Sequence, residues 1–245
     1  MDGSPTVKDV YYGGKWRTLL VAGLGRGGHS YFALDVTNRT APKFLWSFSN
    51  DPANKWAYHW NNRGSRTKYD YNSAALPSSL DYSKLGEAWS TPVIVLSPSG
   101  GTVKWVAAFG AGFNAGINTN YGNAVYVIDL ENDGKVLKKI SLTDSPGGYA
   151  NAAHSAVTAV TADTTSVANY KGAMVYIADL ESKLWKINLT NNGSWGGLSL
   201  LFDGGGTNSN GRSNFFSVTP SIGNDGNLWA YWGTGDQQKL QHMSG

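Results

Sequence analysis

Cysteine is absent from this chain of 245 residues, which excludes a disulfide-stapled scaffold and any zinc site built on thiolates. Charge is scarce, at 15% of residues against the roughly 25% usual in soluble domains. The 20 Lys and Arg set against 17 Asp and Glu leave a net +3, too small to predict the basic face of a nucleic-acid binder. Long apolar runs are missing too. The longest, such as residues 103–112, stop far short of the roughly 20 residues that span a bilayer. The opening Met1-Asp2-Gly3-Ser4-Pro5 lacks the basic start and apolar stretch of a secretory signal. No segment sustains a helical period with start and stop signals.

What is abundant points the other way. Glycine occurs 31 times and tryptophan 10 times, and 41% of residues are hydrophobic. That is enough for a packed core of short strands joined by tight turns. The main feature is internal repetition. Four segments open alike, at Ser4-Pro5-Thr6-Val7, Thr91-Pro92-Val93-Ile94, Ser155-Ala156-Val157-Thr158 and Thr219-Pro220-Ser221-Ile222. Their steps are about 87, 64 and 64 residues, the first lengthened by an insertion. Each opening leads to a second strand-like run: 16–21, 104–109, 174–177 and 228–232. Three of these end in Gly-x-Gly (Gly23/Gly25, Gly110/Gly112, Gly233/Gly235). A third run closes on Asp35, Asp129 or Asn188, and a fourth follows a polar turn, as in 43–48 and 135–140. Asp133-Gly134, Asn192-Gly193 and Asp225-Gly226 supply the positive φ of hairpin turns. Pro5, Pro92 and Pro220 sit where a strand begins and a missing N–H is tolerated.

Four strands per unit in meander order predict an all-β fold, a β-propeller of four-stranded antiparallel blades. The expected blades are 1–50, 88–145 and 150–205, with the start of another in 212–245 and an insertion at 51–87. Three and a half blades do not close a ring, so the chain reads as part of a larger one. The Gly- and Asn-rich stretch 193–212 reads as a flexible outer loop.

The run from Trp16 to Gly25, followed by Gly27-Gly28 and Tyr31-Phe32-Ala33-Leu34-Asp35-Val36-Thr37, resembles the C-terminal propeller of PilC/PilY-type type IV pilus proteins. Trp89 to Ile94, and Tyr176 to Ile187, resemble later segments of the same domain. The resemblance implies an exported, non-catalytic protein of the outer membrane, cell surface or pilus tip. It further implies support of pilus assembly, adhesion and twitching motility. Its expected partners are a pilin or minor pilins, the rest of its own parent chain, and a host-surface protein or glycan. The family also implies a calcium loop of the form Asp-x-Asp-x-Asp-Gly-x-x-Asp. The corresponding stretch here, 160–169, holds a single acid, Asp163. One carboxylate does not hold calcium tightly, so the loop reads as degenerate and no cofactor is assigned.

Other motifs read as structural. Gly23-x-Gly25-x-x-Gly28 has the string of a dinucleotide fingerprint, but a strand-like run follows it instead of the required helix. The recurring Trp and Asp are also similar to quinoprotein-dehydrogenase repeats, yet the chain offers no carboxylate cluster around which a quinone and calcium would be held. Glu131-Asn132-Asp133-Gly134 reads as a hairpin turn, and His29, His59, His154 and His242 as surface or turn residues. The insertion reads as a large outward loop without regular structure and is the candidate binding surface. It carries Trp56, Tyr58, Trp60, Tyr69, Tyr71 and Tyr82, and a basic stretch of Lys55, Arg63, Arg66 and Lys68 with no acid inside it. Trp56, Tyr58, Trp60, Arg63, Arg66 and Tyr69 form the predicted site, since exposed aromatics beside Arg anchor interfaces or stack on sugars. A lectin-like propeller is therefore one alternative to the pilus scaffold, and a quinoprotein-dehydrogenase-like propeller is the other.

Overall fold

The computed structural model describes residues 2–113, 121–142, 158–161, 172–191, 193–206 and 212–235. Each repeat folds as an antiparallel meander. The first sheet runs in order through β1 (Thr6–Tyr12), β2 (Lys15–Gly23), β3 (Ser30–Asp35), β4 (Lys43–Asp51), β5 (Trp56–Trp60) and β6 (Arg66–Asp70). The second contains β7 (Val93–Ser99), β8 (Thr102–Gly110), β9 (Ala124–Asp129) and β10 (Lys135–Ser141). The third contains β11 (Thr158–Thr161), β12 (Gly172–Ala178), β13 (Lys183–Thr190) and β14 (Gly197–Asp203). β15 (Thr219–Ile222) and β16 (Leu228–Tyr231) pair as the start of a fourth. The first strands of successive sheets lie side by side, β1 with β7, β7 with β11 and β11 with β15. This places the sheets as blades around a common inner line, and the fold is a partial β-propeller. Among the described residues the one helix is a 3₁₀ turn at Ser78–Leu80.

Alternation explains how the blades stack, because successive side chains on a strand point to opposite faces. On β9, Ala124, Tyr126 and Ile128 enter the core shared with blade 1, while Val125 and Val127 enter the core shared with blade 3. β8 divides the same way, with Ala107 and Phe109 on one side and Val106 and Ala108 on the other. The first seam is aromatic. The rings of Phe48 and Tyr82 stack at 3.9 Å between centroids, and those of Tyr31 and Phe109 lie 4.1 Å apart. Their hydroxyls are satisfied across the seam, Tyr31 donating to Ser90 O and Tyr82 to Gly134 O, both at 2.7 Å.

Two of the Gly-x-Gly strand ends, Gly23/Gly25 and Gly110/Gly112, are sites of close backbone approach, whereas Gly233 and Gly235 stand in open space. Segment 85–90 threads between the ends of β2 and β8, with Gly25 N donating to Ala88 O at 3.1 Å and Gly86 N to Ala111 O at 2.7 Å. A Cβ on Gly23 would stand 2.2 Å from Ala88 O, and one on Gly112 would stand 1.9 Å from Glu87 O. No side chain fits there. The Asp133-Gly134 turn, with φ of 52° and 68°, docks beneath the Trp46 ring, 2.6 Å from where a Gly134 Cβ would be.

The residue closing each third strand has one role throughout. Asp35, Asp129 and Asn188 each accept an N–H two residues on, from Thr37 at 3.0 Å, Glu131 at 2.9 Å and Thr190 at 2.9 Å. Arg17 pairs with Asp35 at 3.0 Å and Lys104 with Asp129 at 2.9 Å. In the third blade Gly172 occupies the register position of those cations. A Cβ on Gly172 would lie 2.0 Å from Leu189 O, so no cation is accommodated and the neutral amide of Asn188 replaces the carboxylate.

Three sequence expectations change. Residues 51–70 are not a loop, because β5 and β6 extend the first blade outward by two strands. The 193–212 stretch contains β14, the outer strand of the third blade, where the sequence reading placed a flexible loop. Gly197 opens the strand, and the other described glycines of the stretch lie before or after it. His59 is not a surface residue. It is 7% exposed, with Nε2 2.7 Å from Asp133 O.

Candidate functional site

The rim hairpin begins where Asp51 turns the chain, its carboxylate accepting Asn54 N at 3.1 Å and Asn54 Nδ2 at 2.8 Å. Lys55 at φ 56° completes the reversal into β5. The tip is built on Asn61, whose Oδ1 accepts the N–H groups of Arg63 at 3.0 Å and Ser65 at 3.1 Å. Between these turns the period of two puts Trp56, Tyr58 and Trp60 on one face. Ala57 and His59 are buried on the other, where His59 meets the Asp133 carbonyl of blade 2.

Cross-strand register brings the cations to the rings. Lys68 pairs with Tyr58 and Arg66 with Trp60, and each side chain reaches diagonally to the next ring along β5. Lys68 Nζ lies 3.1 Å from the Trp56 centroid, and the Arg66 guanidinium 5.6 Å from that of Tyr58. The rings form a continuous row, with centroids 6.4 Å apart for Trp56–Tyr58 and 5.8 Å for Tyr58–Trp60. The exposed chemistry of this face is therefore positive charge held over aromatic rings, an arrangement that attracts carboxylates.

Four of the six predicted residues, Trp56, Tyr58, Trp60 and Arg66, share this face. Arg63 stays at the hairpin tip. Tyr69 pairs with Ala57 and belongs to the opposite face. Lys68 completes the face and was missing from the predicted set, although its place in the basic stretch marked it. Tyr71 and Tyr82 turn away from this face, Tyr71 half-buried and Tyr82 wholly so. Tyr71 OH donates to Asn50 Oδ1 at 3.0 Å, with burial first among the causes that raise its pKa, and Tyr82 is fully buried in the blade seam. Asp163, His154 and His242 lie outside the described residues. Sequence reading also missed a cavity of about 230 Å³ at the turn end of blade 1. Lys15, Trp16, Arg17, Asp35, Thr37 and Lys43 line it, from three strand ends that no local motif links.

A buried carboxylate marks the hairpin joining β12 and β13. Burial pushes Asp179 up to about 7, although Trp185 Nε1 donates to it at 2.7 Å and Lys183 N at 3.0 Å. The neighbouring charge of Glu181 adds to the rise. This residue is enclosed by its own turn, so its perturbation is structural.

A family model described as the PilY1 beta-propeller domain matches residues 1–221. The chain belongs to this family. It is 31% identical over 194 residues to the type IV pilus biogenesis factor PilY1 of Pseudomonas aeruginosa strain UCBPP-PA14. It is 30% identical over 201 residues to a PilY1 homolog of Xylella fastidiosa. These alignments cover 78% of this chain but only 13% and 11% of those relatives. Among solved structures, the C-terminal domain of P. aeruginosa PilY1 superposes with a TM-score of 0.60 at 22% identity, covering 96% of this chain and 44% of that one. That likeness concerns the fold, and it agrees with a ring larger than the blades seen here. No helix among the described residues is long and apolar enough to cross a membrane.

Proposed function

We propose that this chain is a non-catalytic platform within a type IV pilus biogenesis factor, acting at the cell surface in pilus assembly, adhesion and twitching motility. Its relatives supply the pilus context. The observation that carries the platform reading is that the blade seams are filled by side chains while the cationic aromatic hairpin projects beyond them at the rim. In this reading the hairpin engages a pilin or another polypeptide of the pilus tip. A carbohydrate reading is favoured by the row of three rings. It is opposed by Lys68, which covers the Trp56 face that a sugar would need.

The test is made in the host. Residues 52–70 are replaced by a short turn in the chromosomal copy, and surface pili are counted by electron microscopy alongside a twitching-zone assay. Loss of pili or of twitching, with the protein at normal abundance, supports the platform and its rim surface. Unchanged pili and unchanged twitching overturn it.

A further inference from the structure

β6 is the outermost strand of its sheet. It pairs with β5 on one side and with no described strand on the other. Backbone bonds of Asn61 N to Ser65 O at 3.1 Å and of Tyr71 N to Lys55 O at 2.9 Å fix which groups face inward. By the alternation of an antiparallel ladder, Thr67 and Tyr69 also turn their N–H and C=O toward β5, so those of Arg66 and Lys68 point away from the sheet. Further blades of a ring stack against blade faces. This edge lies two strands outside the fourth strand of its own blade.

We propose that β6 receives an extended, acidic segment of a separate polypeptide, added as the next strand of blade 1. The proposal rests on the reading of the rim hairpin as the engagement surface and specifies how that surface works. Strand addition supplies main-chain hydrogen bonds, and the flanking side chains select the sequence. On one face the incoming strand meets Arg66 and Lys68, so acidic residues belong at alternate positions. On the other it meets Thr67 and Tyr69, which suit Thr or Val. Lys55, Arg63, Arg66 and Lys68 make the hairpin wholly basic between Asp51 and Asp70. The same cations disfavour a second copy of the chain, because edge-to-edge pairing would set Arg66 and Lys68 against their own counterparts.

The probe is a capped synthetic peptide alternating glutamate with valine, titrated into the 245-residue chain and followed by tryptophan emission and calorimetry. Binding is expected to weaken with salt and to disappear for the lysine analogue. Lys68→Gln removes charge only and should weaken binding about threefold. Lys68→Pro also removes an outward N–H and should weaken it about tenfold or more. Because that proline variant can disturb the hairpin, a second measurement leaves the protein intact. N-methylation of the peptide at one alternating set of amides should abolish binding, and methylation of the other set should spare it. Equal effects of both methylated sets, or equal binding of a peptide with its glutamates in one block, would overturn strand addition while leaving the rim surface in place. Binding of an anionic polysaccharide but no peptide, or self-association of the chain through β6, would overturn the proposal as well. Failure of the rim reading itself shows separately, as normal pili after removal of residues 52–70.

Discussion

Blade 2 and blade 1 share one strand plan but differ in what covers them. Every residue of β9 is buried, its alternating side chains feeding two separate cores. Blade 1 buries Val10, Leu19, Tyr31 and Phe48 on one face. Its other face leaves Trp16 65%, Val7 53% and Tyr11 52% exposed. The composition of the strands barely distinguishes the two situations. Both blades carry apolar residues on both faces, as members of a stack do, and position within the stack decides which residues reach solvent. The exposed face of blade 1 is thus shaped like a seam without its second half, whereas the rim hairpin beyond it carries charge over its rings.

The contrast can be broken first at the filled seam. Phe109→Ala should cost about 4 kcal/mol, from lost burial plus an uncollapsed cavity between blades, read as a fall in urea midpoint. Next is the backbone crossing. Gly112 sits at φ 90° with Glu87 O where a Cβ would be, so Gly112→Ala should cost about 3 kcal/mol in the same assay. Third is the cation that Gly172 replaces in blade 3. Lys104→Met should cost about 2 kcal/mol by stranding the Asp129 carboxylate. The double variant Lys104→Met/Asp129→Asn should recover most of it, since it recreates the neutral arrangement of Asn188. A double-mutant cycle without recovery would show that the amide is not an equivalent closing group.

A separate, pH-dependent effect belongs to Asp179. Its folded pKa of about 7 lies above the unfolded value of about 3.9. Between those values the folded chain holds a proton that the unfolded chain has released, so stability falls as pH rises through that window and levels off above it. Asp179→Asn should remove this component of the slope, measured as urea midpoints below and above the window. Smallest is the open face, where Trp16→Ser should change stability by less than about 0.5 kcal/mol. A large loss there would mean that Trp16 is packed in solution and that the contrast between the blades is false.

Much of the fold was legible because the repeat writes its constraints locally. Asp35, Asp129 and Asn188 were found as strand-closing residues, and the structure supplies the reason, a hydrogen bond to an N–H two positions on. Gly23 and Gly112 were legible as strand-end glycines, but their neighbours Ala88 and Glu87 were not, being distant in sequence. The rim residues were identified as a group and then mis-sorted. A loop reading has no faces, so Tyr69 was grouped with Trp56 and Lys68 was left out. Once 56–60 and 66–70 are strands, the period of two separates Tyr69 and brings Lys68 in. His59 and Tyr82 were misplaced because their partners, the backbone of Asp133 and Gly134, belong to another blade.

Strand periodicity, turn chemistry and the spacing of the repeats are properties of short stretches, and so the amino-acid order was enough to establish blades, their meander and their incomplete number. Which face is sealed, which glycine is crowded and which cation lies over which ring depend on contacts between residues tens of positions apart. Those contacts exist only once the blades pack, because cross-strand register and inter-blade distance are set by the whole stack and not by any one segment.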